Sequence, residues 1–399
     1  MVVNATAPLR MLPNKENQMS SRSIVSVLIA AGFAATLTPT LGIAQPLPTN
    51  ATLYASGLEG PRGLAFGSDG SLYVAEAGLG GTISTVGSCE QTPPPIGPYT
   101  GGLTARISKV DVKGNVTTVA SGLPSALSGD GSSIQGVADV VFFNGDLYAM
   151  TAGGGCSHGN TAFPNSILKV NTKTGTWTTV ANLSQALLAF PAKYTSADDY
   201  EPDGTWYGMI SQFGSLYMVE PNHGQVFSVT PGGKVSQVID VSASQGHIVP
   251  TSLVLDQGTL YVGNLNLFPI DPQWAKVMTI AKGVLVPNPL PGFAGPLDSF
   301  FNWNVVSSKA GFTTVVSLKI GPDGLLYVLE LSDAAGFPTP GAGKVVRVTR
   351  SGNIQDVVTG LAVPTGMTFG PDGRLYVSNL GAAPGAVGQI LRIDVPAVQ

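Results

Sequence analysis

The chain has 399 residues, of which 43% are hydrophobic and only 11% are charged, against roughly 25% charged residues in an ordinary soluble domain. Its formal net charge is −4, so it offers no basic surface for a phosphate backbone, and this excludes nucleic-acid binding. The 51 glycines and 30 prolines show no collagen-like period, and apolar strand-forming residues are spread evenly, so the composition indicates short strands joined by tight turns rather than disorder.

The N-terminus has the pattern of a secretory signal. Arg10, Lys15 and Arg22 precede an apolar run, residues 24–35, that is shorter than the roughly 20 residues of a membrane span. A site of small residues follows this run, and we predict cleavage after Ala44. A retained membrane anchor is the alternative.

This pattern divides the chain into a signal peptide, residues 1–44, and one domain, residues 45–399. We expect the domain to be secreted or periplasmic, to be a monomer and to have no membrane span once the signal is removed, since no later segment is apolar enough.

One short pattern recurs six times along the domain. It consists of an apolar strand, a Gly/Asp turn and the tripeptide Leu-Tyr-Val or a variant of it, and a third strand and usually a fourth follow each copy. Asp-Gly between two alternating apolar runs is typical of a hairpin. Six copies of four antiparallel strands predict an all-β fold, the six-bladed β-propeller. The repeated tyrosines are Tyr73, Tyr148, Tyr217, Tyr261, Tyr327 and Tyr376.

The two ends of the domain complement each other. The sixth repeat ends with its third strand, residues 389–394, and lacks a fourth. A lone strand at 51–58, ATLYASGL, resembles the fourth strand VTTVASGL at 116–123. We therefore predict that this N-terminal strand completes the last blade, so that no sheet edge stays open.

The predicted connections divide the propeller into two faces. Tight turns between first and second strands, and between third and fourth strands, share one side, the turn face. The other side, the loop face, receives most of the long segments, and we expect function there because binding residues concentrate on loops that a rigid scaffold carries. A Pro-rich insertion at 281–302 is the exception on the turn face, in blade four, and the sequence gives it no function. The long segments of the loop face are 77–104, 152–165, 184–206 and 332–343.

Two cysteines, Cys89 and Cys156, fall in second-to-third-strand loops of blades one and two, both on the loop face. In an oxidising compartment they form a disulfide if the fold brings them together, and two free thiols are the alternative.

Polar residues end the second strand of each blade, three positions after the repeated tyrosine. Five of the six side chains carry a carboxylate or amide oxygen, and the sixfold arrangement directs them toward one mouth of the channel. Such oxygens are the ligands of Ca²⁺ or Mg²⁺, so the set predicts a metal site; capping of each residue's own loop is the alternative. The predicted ligands are Glu76, Glu220, Asn264, Glu330 and Asn379, with Thr151 in the sixth position.

The first strands begin at the same mouth and provide candidate ligand-binding residues. One of them is an arginine, whose guanidinium can bind a carboxylate or another anion of a ligand. Pairing with a neighbouring glutamate is the alternative. The candidates are Arg62, Tyr207, Thr251 and Thr365.

The three histidines are candidate general bases, although spacing identifies no partner for any of them. His158 and His223 are interpreted as loop and turn residues, and His247 is the best catalytic candidate.

The acidic stretch 198–204 begins like an EF-hand loop but lacks its final glutamate, so we interpret it as a solvent-exposed connection. The sequence contains no Gly-x-Ser-x-Gly elbow, His-Glu-x-x-His motif or phosphate-binding glycine loop, and it leaves open whether the protein is an enzyme.

Four segments resemble the ScyD/ScyE family of exported propeller proteins: ASGLEGPRGLAFGSDGSLYVAEAG, DDYEPDGTWYGM, VPTSLVLDQGTLYVGNLNLFP and FTTVVSLKIGPDGLLYVLELS. The resemblance runs from about residue 50 to residue 395. More distantly, the repeats look like those of NHL, SMP-30 lactonase and virginiamycin B lyase propellers. The resemblance implies a six-bladed propeller and export, and it implies no particular catalytic activity.

Two hypotheses for function follow. The first is a scaffold whose loop face binds a small ligand or a protein partner, which the weakly charged loops and missing catalytic motifs favour. The second is a Ca²⁺- or Mg²⁺-dependent lactonase, hydrolase or lyase with its site at the channel mouth.

Overall fold

The computed structural model describes residues 46–282 and 303–398, which form 25 strands, two short α-helices and one 3₁₀ turn. The predicted signal peptide lies outside these residues, and so does nearly all of the predicted insertion. The strands in chain order are β1 Ala51–Leu58, β2 Pro61–Phe66, β3 Leu72–Glu76, β4 Thr100–Val110, β5 Val116–Leu127, β6 Ile134–Gln135, β7 Val137–Phe143, β8 Asp146–Thr151, β9 Ser166–Val170, β10 Trp177–Asn182, β11 Met209–Gln212, β12 Ser215–Glu220, β13 Gln225–Val229, β14 Val235–Asp240, β15 Pro250–Asp256, β16 Thr259–Asn264, β17 Ala275–Lys282, β18 Trp303–Phe312, β19 Val315–Ile320, β20 Leu326–Glu330, β21 Gly343–Val348, β22 Ile354–Leu361, β23 Gly366–Phe369, β24 Leu375–Asn379 and β25 Gly388–Ile393.

These strands form six antiparallel sheets, one for each predicted repeat. Blade one is β2–β5 with the short β6 added at its outer edge, and blades two to five are β7–β10, β11–β14, β15–β18 and β19–β22. The first strand of each blade contacts the first strands of its neighbours, for example β2 with β7 and β23, and this closes the ring. The six-bladed β-propeller predicted from the repeats is confirmed.

Blade six closes the ring as the sequence predicts. Its sheet has the order β1-β25-β24-β23, so the strand nearest the N-terminus is the fourth strand of the last blade. Ala51 lies opposite Ile393 and Leu58 lies opposite Gly388 in an antiparallel ladder. The side chain of Asn50 also donates to the carbonyl of Asp394, which fastens the start of this strand to the end of the chain.

The second strands show why the repeated sequence forms blades. All five residues of β3 and of β24 are buried, because each second strand lies inside its sheet and both of its faces pack on neighbouring blades. A strand buried on both faces reads as a nearly continuous apolar run instead of an alternating one.

The repeated tyrosines join one blade to the next. Tyr73 packs edge-on against Phe142 of blade two at 5.0 Å between ring centroids, and Tyr327 packs in the same way on Phe369 of blade six at 4.9 Å. Edge-to-face aromatic pairs contribute about 0.5–1.5 kcal/mol beyond the area they bury. Tyr376 makes the same kind of contact with Phe66 of blade one, so three of the six repeated tyrosines join neighbouring blades in this way.

The two α-helices lie in connections between blades. α1, Leu183–Ala189, follows blade two, and Asn182 caps it by accepting a hydrogen bond from the backbone N–H of Gln185. The 3₁₀ turn Ala197–Asp199 comes next, and α2, Ser242–Gln245, follows blade three. No helix in the described ranges has the length and apolar character needed to cross a membrane.

Candidate functional site

Glu76, one of the predicted metal ligands, is fully buried and serves its own blade. Its carboxylate accepts hydrogen bonds from Arg106 Nε at 2.9 Å and Nη2 at 2.8 Å, and from the Glu59 N–H at 2.6 Å. The Ser108 hydroxyl donates to the same carboxylate. All of these acceptor sites are therefore used within blade one.

The other strand-end side chains repeat this arrangement. In every case the side-chain oxygen accepts a backbone N–H from a segment next to its own second strand, at 2.7–2.8 Å. The bonds run to Glu220 from Thr205, to Glu330 from Thr313, to Asn264 from Lys276, to Asn379 from Ala362, and to Thr151 from Ser166.

These contacts do not fit a shared metal site. The oxygens are engaged in separate blades, and within residues 46–282 and 303–398 no three His, Cys, Asp or Glu side chains are grouped to hold a metal ion. Burial raises the pKa of Glu330, and Lys344, 3.9 Å away, only partly offsets this effect. The alternative considered from the sequence, that each residue caps its own loop, accounts for all of these bonds.

The four candidate ligand-binding residues are also buried, and each one bonds to a backbone carbonyl. Arg62 bonds to β6 at the outer edge of its own blade, and the other three bond to another blade or to the segment leading into it. Arg62 Nη2 donates to the carbonyl of Ile134, just before blade two, at 2.7 Å. The hydroxyl groups of the two threonines bond to the next blade in the ring. Thr251 donates to the Val315 carbonyl and Thr365 donates to the Pro61 carbonyl.

Tyr207 crosses the centre of the propeller. Its hydroxyl donates to the Thr365 carbonyl at 2.9 Å, which joins blade three to blade six on the opposite side. Burial raises the pKa of Tyr207 to about 12, although the nearby Arg62 guanidinium opposes the shift. The channel beside this bond has a volume of only about 20 Å³, space for a water molecule but not for an organic ligand.

Asp139 is the acidic group of this channel, and no sequence motif marks it. Its carboxylate accepts the N–H groups of Val140 and Met209, each at 2.8 Å. Burial raises its pKa to about 6, an effect that the positive charge of Lys319 reduces. Gly63 leaves the necessary space, since a Cβ at that position would lie 1.7 Å from Asp139 Oδ1.

All three histidines converge on the acidic connection between blades two and three. His158 Nε2 lies 3.5 Å from Glu201, and His247 Nε2 lies 2.8 Å from Asp199. Asp199 and Glu201 are only 4% and 2% exposed, so the interpretation of residues 198–204 as a solvent-exposed connection was wrong. Buried carboxylates are normally paired, and these histidines come from distant parts of the chain, so the pairing leaves no local sequence motif.

His223 forms the third pair of this cluster with Glu220, at 3.0 Å. Burial lowers the pKa of His223, but the Glu220 carboxylate raises it by more, and the pKa of His158 is raised in the same way by Glu201. Burial raises the pKa of Glu220, yet His223 and two backbone N–H groups bring it below its usual value. The cluster is therefore stabilised by charged pairs at mildly acidic pH.

The loops above this cluster enclose a cleft of about 320 Å³ on the loop face. Cys89 and Cys156 form a disulfide, with 6.4 Å between their Cα atoms, that joins the loops of blades one and two along one wall. The opposite wall comes from α1 and from the acidic connection. Besides the disulfide, the lining includes Glu90, Ser157, Gln185, Leu188, Pro202 and Asp203.

One contact fixes the floor of the cleft. Asp203 accepts hydrogen bonds from both the N–H and the hydroxyl of Ser157, at 2.9 and 2.8 Å, which ties the acidic connection to the blade-two loop. Among the cleft residues, the two cysteines and the acidic stretch that contains Asp203 are recognisable from the sequence, but their assembly into one cleft is not.

Comparison with solved structures shows the propeller fold. A protein of unknown function from Bacteroides thetaiotaomicron is 10% identical with a TM-score of 0.52, covering 86% of this chain and 76% of that one. A Thermus thermophilus protein named as an oxidoreductase (glucose dehydrogenase) is 16% identical with a TM-score of 0.51, covering 86% and 99%. A gluconolactonase from Xanthomonas campestris is 11% identical with a TM-score of 0.48, covering 86% and 89%.

At these identities the likeness concerns the fold alone. No protein-family model and no curated protein matches the chain.

Proposed function

We propose that this protein is an exported binding propeller of the ScyD/ScyE type, which takes a small ligand in the cleft between the loops of blades one to three. Export is supported by the signal pattern that ends at Ala44 and by the Cys89–Cys156 disulfide, since disulfides persist in oxidising compartments.

The cleft is the observation that carries this proposal. Its volume of about 320 Å³ is within the range of small-molecule sites, whereas the central channel holds only about 20 Å³. Its walls are held by a disulfide and by the Ser157–Asp203 bonds, so the site is formed before a ligand arrives. Preformed sites bind with less loss of conformational entropy.

The metal-dependent hydrolase or lyase is less well supported. The strand-end oxygens would have to leave their backbone partners before they coordinated a common cation. The catalytic candidate His247 contacts Asp199 through Nε2 at 2.8 Å, its Nδ1 atom is buried, and it does not line the cleft. Binding is therefore the function that the geometry favours.

Fluorescence of the neutral apolar probe N-phenyl-1-naphthylamine tests the proposal. The mature protein is expected to increase the emission of the probe on binding it in the cleft. Gln185→Trp fills the cleft from the exposed side of α1 and is expected to abolish this increase.

Ala189→Trp provides the matched control. Ala189 is exposed on the same helix but does not line the cleft, so this variant is expected to bind the probe like the unmodified protein. Absence of probe binding, or equal binding by both variants, would place ligand binding elsewhere and contradict the proposal.

A further inference from the structure

We propose that the cleft selects a cationic amphipathic ligand, an organic amine with an apolar body. This inference rests on the proposed binding function and adds the chemical class of the ligand.

The charge of the cleft comes from two carboxylates. Glu90 is exposed at its rim, and Asp203 lies on its floor with one oxygen bound by Ser157. The lining contains no lysine or arginine among the described residues, so no cation inside the cleft offsets these charges. An ammonium group can therefore gain attraction at both ends of the site without displacing an existing ion pair.

The buried carboxylates below the cleft are paired with histidines. Glu201 and Glu220 each have a histidine partner, at 3.5 and 3.0 Å, whose pKa the pairing raises. Each of these two carboxylates therefore has a partner of its own below the cleft. Glu90 and Asp203 are the carboxylates that line the cleft, where a ligand makes contact.

The pKa of Tyr200 is sensitive to the carboxylates around the cleft. Its phenol is half-buried next to His223, with 5.4 Å between the ring centroids. Burial raises the pKa of Tyr200, and the carboxylates of Glu90, Glu220 and Asp203 raise it further. Only the carboxylate part of this shift bears on a cation, because burial disfavours a charge of either sign.

The remaining lining fits a hydrocarbon body. The accessible surface of the cleft is mostly apolar and includes the disulfide and Pro202. Leu188 presents a side chain that is 79% exposed, on the α1 wall. An apolar ligand body that covers Leu188 removes this surface from water, which favours binding.

Displacement of bound N-phenyl-1-naphthylamine by three octyl compounds tests the charge preference. n-Octylammonium is expected to displace the probe at a concentration at least ten times lower than n-octanol, and octanoate is expected to be the weakest of the three. The preference for ammonium over alcohol should fall as salt is raised, since exposed charges are screened.

Two variants distinguish the effect of a cleft carboxylate from the effect of the net charge of the protein. Glu90→Gln removes a cleft carboxylate and is expected to reduce the ammonium preference at least threefold. Asp271→Asn removes an exposed carboxylate from the blade-four loop, outside the cleft, and is expected to leave it unchanged.

Three results would overturn the inference: equal displacement by all three compounds, stronger displacement by octanoate, or equal effects of the two variants. Each of these results still shows a probe bound in the cleft. They are therefore distinct from failure of the proposed function, in which the probe does not bind there at all.

Discussion

Glu76 illustrates how a single polar residue holds a blade together. Arg106 binds its carboxylate through two nitrogens and also contacts Glu59 at 3.2 Å, so one guanidinium joins two acidic groups near the end of β3. The carboxylate is completely buried, and a buried ion pair stabilises a fold only when hydrogen bonds satisfy its remaining lone pairs. The Glu59 N–H and the Ser108 hydroxyl provide these bonds.

Glu76→Gln should therefore destabilise the fold whether or not a divalent metal is present. The amide keeps the shape of the side chain but leaves Arg106 without its ionic partner, and we expect a loss of roughly 2–4 kcal/mol in the free energy of unfolding. Urea denaturation at pH 7 with EDTA in one series and Ca²⁺ in the other measures this loss.

The control for this substitution is Asp69→Asn. Asp69 pairs with Lys109 at 2.6 Å, but the aspartate is 47% exposed, and such a surface pair contributes at most about 1 kcal/mol. If Glu76→Gln lost stability only in the Ca²⁺ series, the residue would act as a metal ligand and the structural role would be contradicted.

The connection between α1 and β11 is the element that organises the loop face. The Glu201 carboxylate accepts hydrogen bonds from the hydroxyl groups of Thr92, at 2.7 Å, and Tyr99, at 3.0 Å, both in the blade-one loop. His158 approaches the same carboxylate from the blade-two loop. This mostly irregular connection is thus fixed by hydroxyl hydrogen bonds and a histidine–carboxylate pair to the loops of blades one and two.

This element should make stability depend on pH. The raised pKa values of His158 and His223 mean that the folded state binds protons more tightly than the unfolded state near neutrality. Their contribution is fully present below the unfolded histidine pKa of about 6.5, and it is lost as pH rises through the folded values. The free energy of unfolding should therefore be larger at pH 6 than at pH 8.

His223→Gln should reduce this difference, because it removes one of the two titrating pairs while an amide still reaches Glu220. Guanidinium denaturation of both proteins at pH 6, 7 and 8 provides the measurement. The same pH dependence in both proteins would show that the His223–Glu220 pair does not contribute to it.

The sequence predicts local elements well and the pairing of distant loops poorly. The tyrosine repeats identify the second strands because each blade places this strand inside its sheet, and they lead directly to the ring and its closure by β1. The partners of His158, Glu201 and His247 lie 43 to 48 residues apart or in different blades, where no period relates them. Their burial depends on loop packing, which composition alone described wrongly as solvent-exposed.

At the scale of the whole molecule, closure of the ring joins the two ends of the chain. Leu58 of β1 is completely buried, in a cluster that contains Leu64 and Leu72 of blade one and Ile390 of blade six. This single strand therefore packs against both blades at the point where the ring is joined. Tyr207 adds a second connection across the centre, from blade three to blade six.

Leu58→Ala tests whether this closure stabilises the ring as one unit. Removing a fully buried leucine side chain should cost about 2–5 kcal/mol, whereas Leu53→Ala, on the half-exposed face of β1, should cost less than about 1 kcal/mol. Hydrogen exchange measured by mass spectrometry shows how far the effect extends. If the ring unfolds as one unit, peptides of blade three, such as β12, should lose protection by the same free energy as peptides of β25. If only blades six and one lost protection, the propeller would behave as a chain of neighbouring repeats, and the bond of Tyr207 across the channel would not couple its halves.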